Sequence, residues 1–234
     1  MSSRREVPVE VEGKRIALAN LDKVLYPATG FTNGDVIDYY RRVAPALLPH
    51  LRDRPLTLKR YPEGVRGPYF YEKRCPSHRP SWVRTAAVET TTRGTIQFCV
   101  VDDLATLVWA ANLADLELHC SLHRASRPKR PTALVFDLGS GAPADVVECC
   151  EVALLLRRAP RPLGPPLLGQ DLGIEGAAGV RATRWPGELP RGEGLCAGLG
   201  RDLGPRAAGA RRGLDAQGFA GRQGARRLEP KRCP

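Results

Sequence analysis

The sequence of 234 residues lacks an apolar run of the length that crosses a membrane, which is about 20 residues. Its first residues, MSSRREVPVEVEGKR, are charged and contain no apolar segment of the kind found in a secretion signal. We therefore expect a soluble, cytoplasmic protein without a membrane partner.

Cysteine pairs with a C-x-x-C spacing are absent, although the chain has seven cysteines. Two C-x-x-H spacings occur instead, at Cys75 and His78 and at Cys120 and His123. Four such side chains are a ligand set for zinc, but nothing in the sequence brings the two pairs together. We favour reduced thiols beside polar histidines over a zinc site.

Residues 157–234 lack tyrosine and have little from which to build a core. They hold 16 of the 24 glycines and 14 arginines, and their β-branched and aromatic residues are Ile174, Val180, Thr183, Trp185 and Phe219. Ordering a residue costs about 1–2 kcal/mol of backbone entropy, which leucines scattered among glycines and prolines do not offset. We predict a compact domain over 1–158 and a low-complexity, largely disordered tail over 159–234.

The tail also has a second interpretation, because the genetic code can be read one base downstream. Residues 170–183 are then compatible with KTSGSKGLQVYVPL and residues 213–232 with VSMRKDLRAGKVLVDWSQND. Both strings read as ordinary protein and lie in the same shifted frame. We interpret the tail as translated out of frame after about residue 158; the alternative is a genuine Arg/Gly-rich tail.

The positive charge is concentrated in the same segment. The formal net charge is +11, and residues 157–234 supply 15 basic and 7 acidic residues, leaving 21 basic and 18 acidic residues elsewhere. The high pI is therefore weak evidence for nucleic-acid binding by the domain itself.

Residues 1–158 read as an α+β domain. Alternation predicts a hairpin over 8–18 and strands over 55–61, 68–72, 83–89, 96–101, 116–120 and 132–138. Helical spacing predicts helices over 35–51, 104–113 and 144–158, the first capped by Thr32 with a kink or break at Pro45, the second capped by Asp102 or Asp103. Strand runs interrupted by single helices favour α+β over a doubly wound sheet.

Two segments contain residues suited to chemistry. Asp137 follows an apolar strand and is suited to holding a metal ion, but position 139, on the same strand face, is glycine. A single carboxylate makes a poor metal site, and capping of the following turn is an equal alternative. His119 lies on another predicted strand, where a packed, hydrogen-bonded histidine is the commoner case.

Cations and aromatics are interleaved further upstream. Lys59 and Arg60 lie on a predicted strand, and residues 69–73 read YFYEK, a mixture typical of a surface for single-stranded nucleic acid. The alternative is a face of core aromatics with a solvated charged face. Lys23 by itself reads as a surface lysine.

Several segments occur in a familiar order: NLDKVLYP at 20–27, LTLKRYP at 56–62, FYEK at 70–73, DLATL at 103–107, LELH at 116–119 and VFDL at 135–138. Over about residues 7–158 the chain resembles the polymerase domain of bacterial ATP-dependent DNA ligase D, within the archaeo-eukaryotic primase superfamily. The shifted-frame strings SGSKG and VLVDWSQ are similar to later motifs of that family. The resemblance implies a primase-polymerase mixed sheet with flanking helices, incomplete in this chain.

The resemblance also implies an activity: template-guided addition of nucleotides to DNA ends in non-homologous end joining, with Mn²⁺ or Mg²⁺. Its partners would be nucleoside triphosphates, DNA ends with a 5′-phosphate, and other end-joining proteins. Phe70 and Tyr71 match a stacking pair beside the template. Lys23 matches a cation that holds the 5′-phosphate, with Lys14 or Arg15 assisting.

For the chemistry, Asp137 matches the first metal-binding, catalytic aspartate, and His119 and Lys59 match contacts to the incoming nucleotide. Gly139 stands where the family has its second acid, and the third overlaps the Arg227 codon in the shifted frame. Two-metal catalysis needs several carboxylates. We therefore predict little or no polymerase activity; the alternatives are a non-catalytic remnant that binds DNA ends and the product of a broken gene.

Overall fold

The computed structural model describes residues 6–90, 93–132, 134–139, 167–174, 177–182 and 214–215, with five helical residues between 147 and 154. The chain divides into two compact units, Met1–Ser126 and Arg127–Pro234. No helix among the described residues combines the length and apolar character of a membrane span.

The first unit begins with the predicted hairpin. Strands β1 (Glu6–Val11) and β2 (Lys14–Ala19) pair antiparallel, and Glu12 and Gly13 form the turn at positive φ. Glycine adopts such a φ without a steric penalty. The alternation of β2 buries Ile16 and Leu18 in the core.

Strands β3 (Val24–Tyr26) and β4 (Phe31–Thr32) lead into helix α1 (Asn33–Leu51). Thr32 caps α1 as predicted, in a reciprocal capping box with Asp35. The helix continues through Pro45, so of the predicted kink or break the break is wrong. Pro45 lies on the exposed side of α1, where water can solvate the carbonyl that loses its N–H partner.

The main sheet has five strands in antiparallel pairs, with helix α2 after the fourth. Strand β5 is central: β9 runs along one side, while β8 and β6 share the other. Asp103 caps α2, which lies almost entirely in the core. The bounds are β5 (Pro55–Arg60), β6 (Phe70–Glu72), β7 (Thr85–Thr90), β8 (Gly94–Val100), α2 (Leu104–Asn112), β9 (Asp115–Cys120) and β10 (His123–Arg124).

Alternation along β5 separates two faces of this sheet. Leu56 and Leu58 are fully buried in the core, whereas Thr57 and Lys59 project from the other face. Strand β9 alternates in the same way, since Leu116 and Leu118 pack against the core. The face that remains is polar.

A disulfide joins Cys75, in the segment after β6, to Cys99 of β8. The expectation of reduced thiols is therefore wrong for this pair. The backbone N–H of Cys75 donates to Gln97 and brings the two Cα atoms to 4.9 Å, within disulfide reach. With Cys75 engaged, the zinc alternative loses a ligand, and the described part of the chain contains no cluster suited to a metal ion.

The second unit contains a four-stranded antiparallel sheet in the order β13-β14-β12-β15, with β11 (Arg127–Pro131) before it. Here the structure differs from the expected tail, because three strands fall within it. An antiparallel ladder needs only backbone groups, and small glycine and alanine side chains permit it. The bounds are β12 (Leu134–Gly139), β13 (Leu167–Ile174), β14 (Ala177–Ala182) and β15 (Leu214–Asp215).

The predicted helix over 144–158 is described only in part. Val147, Cys150, Glu151, Ala153 and Leu154 are helical, and the other residues of that range lie outside the described ones. The mixed α+β class is as predicted.

Candidate functional site

A cluster of polar and aromatic side chains covers the polar face of β5, β6 and β9. Lys59 of β5 stands opposite Tyr71 on one side and Glu117 on the other. His119 lies two residues beyond Glu117 and therefore projects from the same face. The sheet register thus brings together Lys59, Tyr71 and His119, three residues that the sequence singled out.

Lys59 is enclosed by aromatic rings and one carboxylate. Its Nζ lies 2.6 Å from Oε1 of Glu117, and 5.3, 4.4 and 5.6 Å from the ring centroids of Tyr61, Tyr69 and Tyr71. Only 13% of the side chain is exposed. Hydrogen bonding to Glu117 and then to Tyr61 raises the pKa of Lys59, so the ammonium is charged at neutral pH.

Glu117 accepts hydrogen bonds from three donors. Its Oε1 accepts from Lys59 and from the Tyr61 hydroxyl, and its Oε2 lies 3.1 Å from Nε2 of His119. Partial burial raises the pKa of Glu117, but the hydrogen bonds from Lys59, Tyr61 and His119 outweigh it and lower the pKa to about 2. The His119 ring meets Tyr71 edge-on at 5.5 Å.

Phe70 lies on the opposite face of β6 from Tyr71. The Arg60 guanidinium is 5.3 Å from the Phe70 ring, and its Nη1 lies 2.7 Å from Oε2 of Glu72. The two residues of the predicted stacking pair are neighbours in sequence, and strand alternation directs them apart. Tyr71 joins the Lys59 cluster, whereas Phe70, 43% exposed, joins Arg60.

Lys23 lines a cleft of about 440 Å³ together with three other basic residues, Arg15, Arg60 and His78, and with two acidic ones, Glu6 and Glu63. Its Nζ lies 3.0 Å from Glu63 at the rim. We refer to Arg15, Lys23, Arg60 and His78 as the basic cleft. Lysine and arginine side chains that line a cleft attract a phosphate group.

Two tight backbone positions hold Lys23 in place. Asn20 adopts φ 55°, a left-handed conformation that asparagine tolerates, and its carbonyl accepts from the Lys23 N–H at 3.0 Å. Gly64, at φ 78°, lies so close to Leu25 that a Cβ would come within 2.7 Å of the Leu25 carbonyl oxygen. A side chain at position 64 would push the Glu63 loop away from Lys23.

Lys14 does not line the basic cleft. Its Nζ lies 2.6 Å from Asp103, the α2 cap, and 5.1 Å from the Trp82 ring centroid. Successive β2 side chains point to opposite faces, so of Lys14 and Arg15 it is Arg15 that lines the cleft with Lys23.

Asp115 lies beneath the Lys59 cluster and is completely buried. Its Oδ1 accepts from the Lys59 backbone N–H at 2.8 Å, whereas its Oδ2 has no hydrogen-bond partner. Burial raises the pKa of Asp115 to about 8. This carboxyl group is therefore mostly protonated at neutral pH.

Asp137 lies within β12, in the second unit, with Gly179 and Asp215 opposite it in the backbone register. Gly139 ends the strand and contributes no carboxylate. Among described residues there is no group of three or more metal-ligating side chains. Of positions 137 and 139, two residues apart on this strand, only Asp137 offers a carboxylate.

A larger cavity of about 770 Å³ lies beside α1 and is lined mainly by apolar and aromatic residues, among them Tyr39, Leu116 and Leu118. These β9 residues project away from Glu117 and His119. None of the site residues predicted from the sequence lines this cavity within the described part of the chain.

Sequence reasoning missed Glu117, Tyr61 and Tyr69 as members of the cluster. A signal was present, since Glu117 precedes His119 by two residues and Tyr61 follows Lys59 by two. What the sequence does not contain is the β5–β9 register, which sets Glu117 opposite Lys59.

The chain resembles one family of proteins in sequence. A family model described as LigD, primase-polymerase domain, matches residues 32–166. The multifunctional non-homologous end joining DNA repair protein LigD of Mycobacterium tuberculosis is 40% identical over 152 residues, 62% of this chain and 20% of that protein. The bifunctional LigD of Bacillus subtilis is 30% identical over 144 residues, 62% of this chain and 23% of that protein. The chain thus spans about a fifth of these relatives.

A solved structure is also similar. The polymerase domain from Mycobacterium tuberculosis ligase D, in complex with DNA, matches with a TM-score of 0.70 and 33% identity, over 82% of this chain and 70% of that chain. The family resemblance and the expected fold class are thereby confirmed. Because the family model covers more than half of its residues, this chain belongs to the LigD primase-polymerase domain family.

Proposed function

We propose that this chain is a DNA end-joining primase-polymerase domain that recognises 5′-phosphorylated DNA ends and nucleoside triphosphates, and whose nucleotide addition is impaired. The observation that carries the proposal is the pairing of Lys59 with His119 through Glu117, beside Tyr71 on one sheet face. Family membership supports it, as does the similar ligase D polymerase domain in complex with DNA.

The DNA end is bound at the basic cleft. Lys23 and Arg15 supply positive charge to a 5′-phosphate there, and Arg60 extends the cleft towards the exposed Phe70 ring. Phe70 offers a face on which a base stacks. Binding through phosphate weakens with salt, because condensed counterions are released on association.

The nucleotide is bound at the Lys59 cluster. Lys59 supplies a fixed ammonium for the polyphosphate. His119, whose Nε2 faces Glu117, offers its Nδ1 to a hydroxyl or N–H group of the sugar or base. Tyr69 and Tyr71, both about half exposed, give the base or sugar an apolar surface.

Polymerase chemistry is impaired because the set of metal-binding carboxylates is incomplete. A two-metal centre holds ions about 3.5–4 Å apart between carboxylates that stabilise the attacking and leaving oxygens. Asp137 is present, whereas Gly139 occupies the position of the second acid in the family resemblance. We propose that the third acid was lost with the reading frame; the end of the family match at residue 166 supports this. Sequencing the gene around codon 159 tests the frame directly.

End recognition is tested by fluorescence anisotropy with matched duplexes that carry or lack the 5′-phosphate. The phosphorylated duplex should bind more tightly, and Lys23→Gln should remove most of that preference. Arg41→Gln is the matched control, because Arg41 is an exposed cation on α1, paired with Asp38 and outside the basic cleft. Equal affinity of the wild-type chain for both duplexes would contradict the proposal.

Nucleotide addition is tested by primer extension with Mn²⁺. We expect extension at or near background, and any residual extension should disappear in Asp137→Ala. Robust extension that survives Asp137→Ala would show that the chemistry lies elsewhere.

A further inference from the structure

One carboxylate links the two residues assigned to the nucleotide. Glu117 accepts from Lys59 at 2.6 Å and from the Tyr61 hydroxyl through Oε1, and lies 3.1 Å from His119 Nε2 through Oε2. Lys59 belongs to β5 and Tyr61 directly follows the end of that strand, while Glu117 and His119 belong to β9. Glu117 is thus the junction between two strands of the site.

The contact fixes the position of Lys59. A lysine side chain is a flexible four-carbon stem with large rotamer freedom. Without the contact to Glu117, ligand binding would have to restrict that freedom. Glu117 holds the ammonium 4.4 Å from the Tyr69 ring centroid. An ammonium has three N–H donors, so the bond to Oε1 leaves others for a ligand.

The contact also selects the tautomer of His119. Since the Glu117 carboxylate is ionised, Nε2 of a neutral imidazole must carry the proton that it donates. The other nitrogen, Nδ1, is then an acceptor. A nucleotide therefore meets a histidine of defined orientation and defined hydrogen-bonding character.

We infer that Glu117 is a positioning residue of the nucleotide site, which acts through Lys59 and His119 and does not itself bind the triphosphate. The inference rests on the proposed function. A carboxylate repels a polyphosphate, so any contribution of Glu117 to binding must pass through these two neighbours.

The test combines two measurements on the full chain. The first is residue-resolved acylation of lysines by acetic anhydride, quantified by mass spectrometry, which reports the exposure and charge of Lys59 whether or not nucleotide binds. The second is the Kd for ATP by calorimetry. Glu117→Gln keeps the shape and removes the charge, and Glu117→Asp keeps the charge on a shorter side chain.

In Glu117→Gln we expect Lys59 to be acylated several times faster, with Lys23 unchanged as an internal reference. The Kd for ATP should rise about tenfold, the scale set by loss of a hydrogen bond between charged groups. Glu117→Asp should recover part of both effects. Asp38→Asn, which removes an exposed carboxylate paired with Arg41 and Arg42 on α1, should change neither.

Two results would overturn the inference alone: unchanged Lys59 acylation in Glu117→Gln, or faster acylation with an unchanged Kd for ATP. Failure of the wild-type chain to bind ATP would instead contradict the proposed nucleotide site, and the inference with it. Circular dichroism of each variant establishes that it is folded; if Glu117→Gln unfolds, Glu117→Asp carries the same comparison.

Discussion

At the scale of single residues, the buried Asp115 makes stability depend on pH. Its pKa is about 8 in the folded chain, against an ordinary value of 3.8, so the folded state binds the proton more tightly than the unfolded state. The stabilising contribution is complete below pH 3.8 and is lost as the pH rises through 8. The free energy of unfolding should fall by up to about 1.4 kcal/mol per pH unit in that window.

Asp115→Asn should remove this dependence, because an amide keeps the acceptor for the Lys59 N–H and carries no charge. Urea unfolding at pH 5, 7 and 9 measures the free energy of unfolding. That of the variant should increase relative to that of the wild type as the pH rises. Asp38→Asn is the control. Hydrogen bonding to Arg41 lowers the pKa of that exposed group, so its replacement should not stabilise the chain relative to the wild type at high pH. Parallel pH profiles for Asp115→Asn and the wild type would rule out the assignment.

Individual site residues were predictable to the extent that they stand in recognisable segments. Lys59, Tyr71 and His119 were named from such segments, and the sheet brings them together. The resemblance does not distinguish Lys14 from Arg15 as the assisting cation, whereas alternation in β2 separates the two side chains. The pairing of Glu117 with Lys59 is not predictable from the sequence, because the two residues are 58 positions apart.

At the scale of elements, the Cys75–Cys99 disulfide ties the segment after β6 to β8. It closes a loop with a sequence separation of 24, for which chain-entropy arguments give about 3 kcal/mol of stabilisation. Under non-reducing conditions, the free energy of unfolding of the double variant Cys75→Ala/Cys99→Ala should be lower by about 3 kcal/mol, and its urea midpoint should therefore be lower. Cys150→Ala, at an exposed free cysteine, should unfold like the wild type. Matching urea midpoints for wild type and double variant would contradict the bond.

Elements with a clear period were predicted well. Thr32 and Asp103 cap α1 and α2, and the β1–β2 hairpin turns at Gly13. The short strands β3, β4 and β10 were not predicted, because two or three residues carry no periodicity. They form where tertiary pairing, such as Val24 with Thr32, supplies the hydrogen bonds.

At the scale of the whole molecule, composition separated two parts near residue 158, and the structure separates two units after Ser126. Composition shows where core-forming residues end. The compact units instead show which parts of the chain contact one another, so the two boundaries need not coincide. Strand β12 shows the difference: it has an ordinary apolar sequence, yet it pairs with β14 and β15, which lie in the compositionally poor segment. Composition alone does not reveal such pairing.

Restoring polymerase activity is also a question for the whole molecule. If the segment after residue 158 is out of frame, a one-base correction at codon 159 supplies the third acid, and Gly139→Asp supplies the second. Primer extension with Mn²⁺ should rise above background only when both changes are made, because a two-metal centre needs all of its carboxylates. Asp137→Ala in the doubly corrected chain should return extension to background. Extension by the uncorrected chain at the level of the doubly corrected one would mean that the acids present already suffice, and that the missing carboxylates are not what limits this domain.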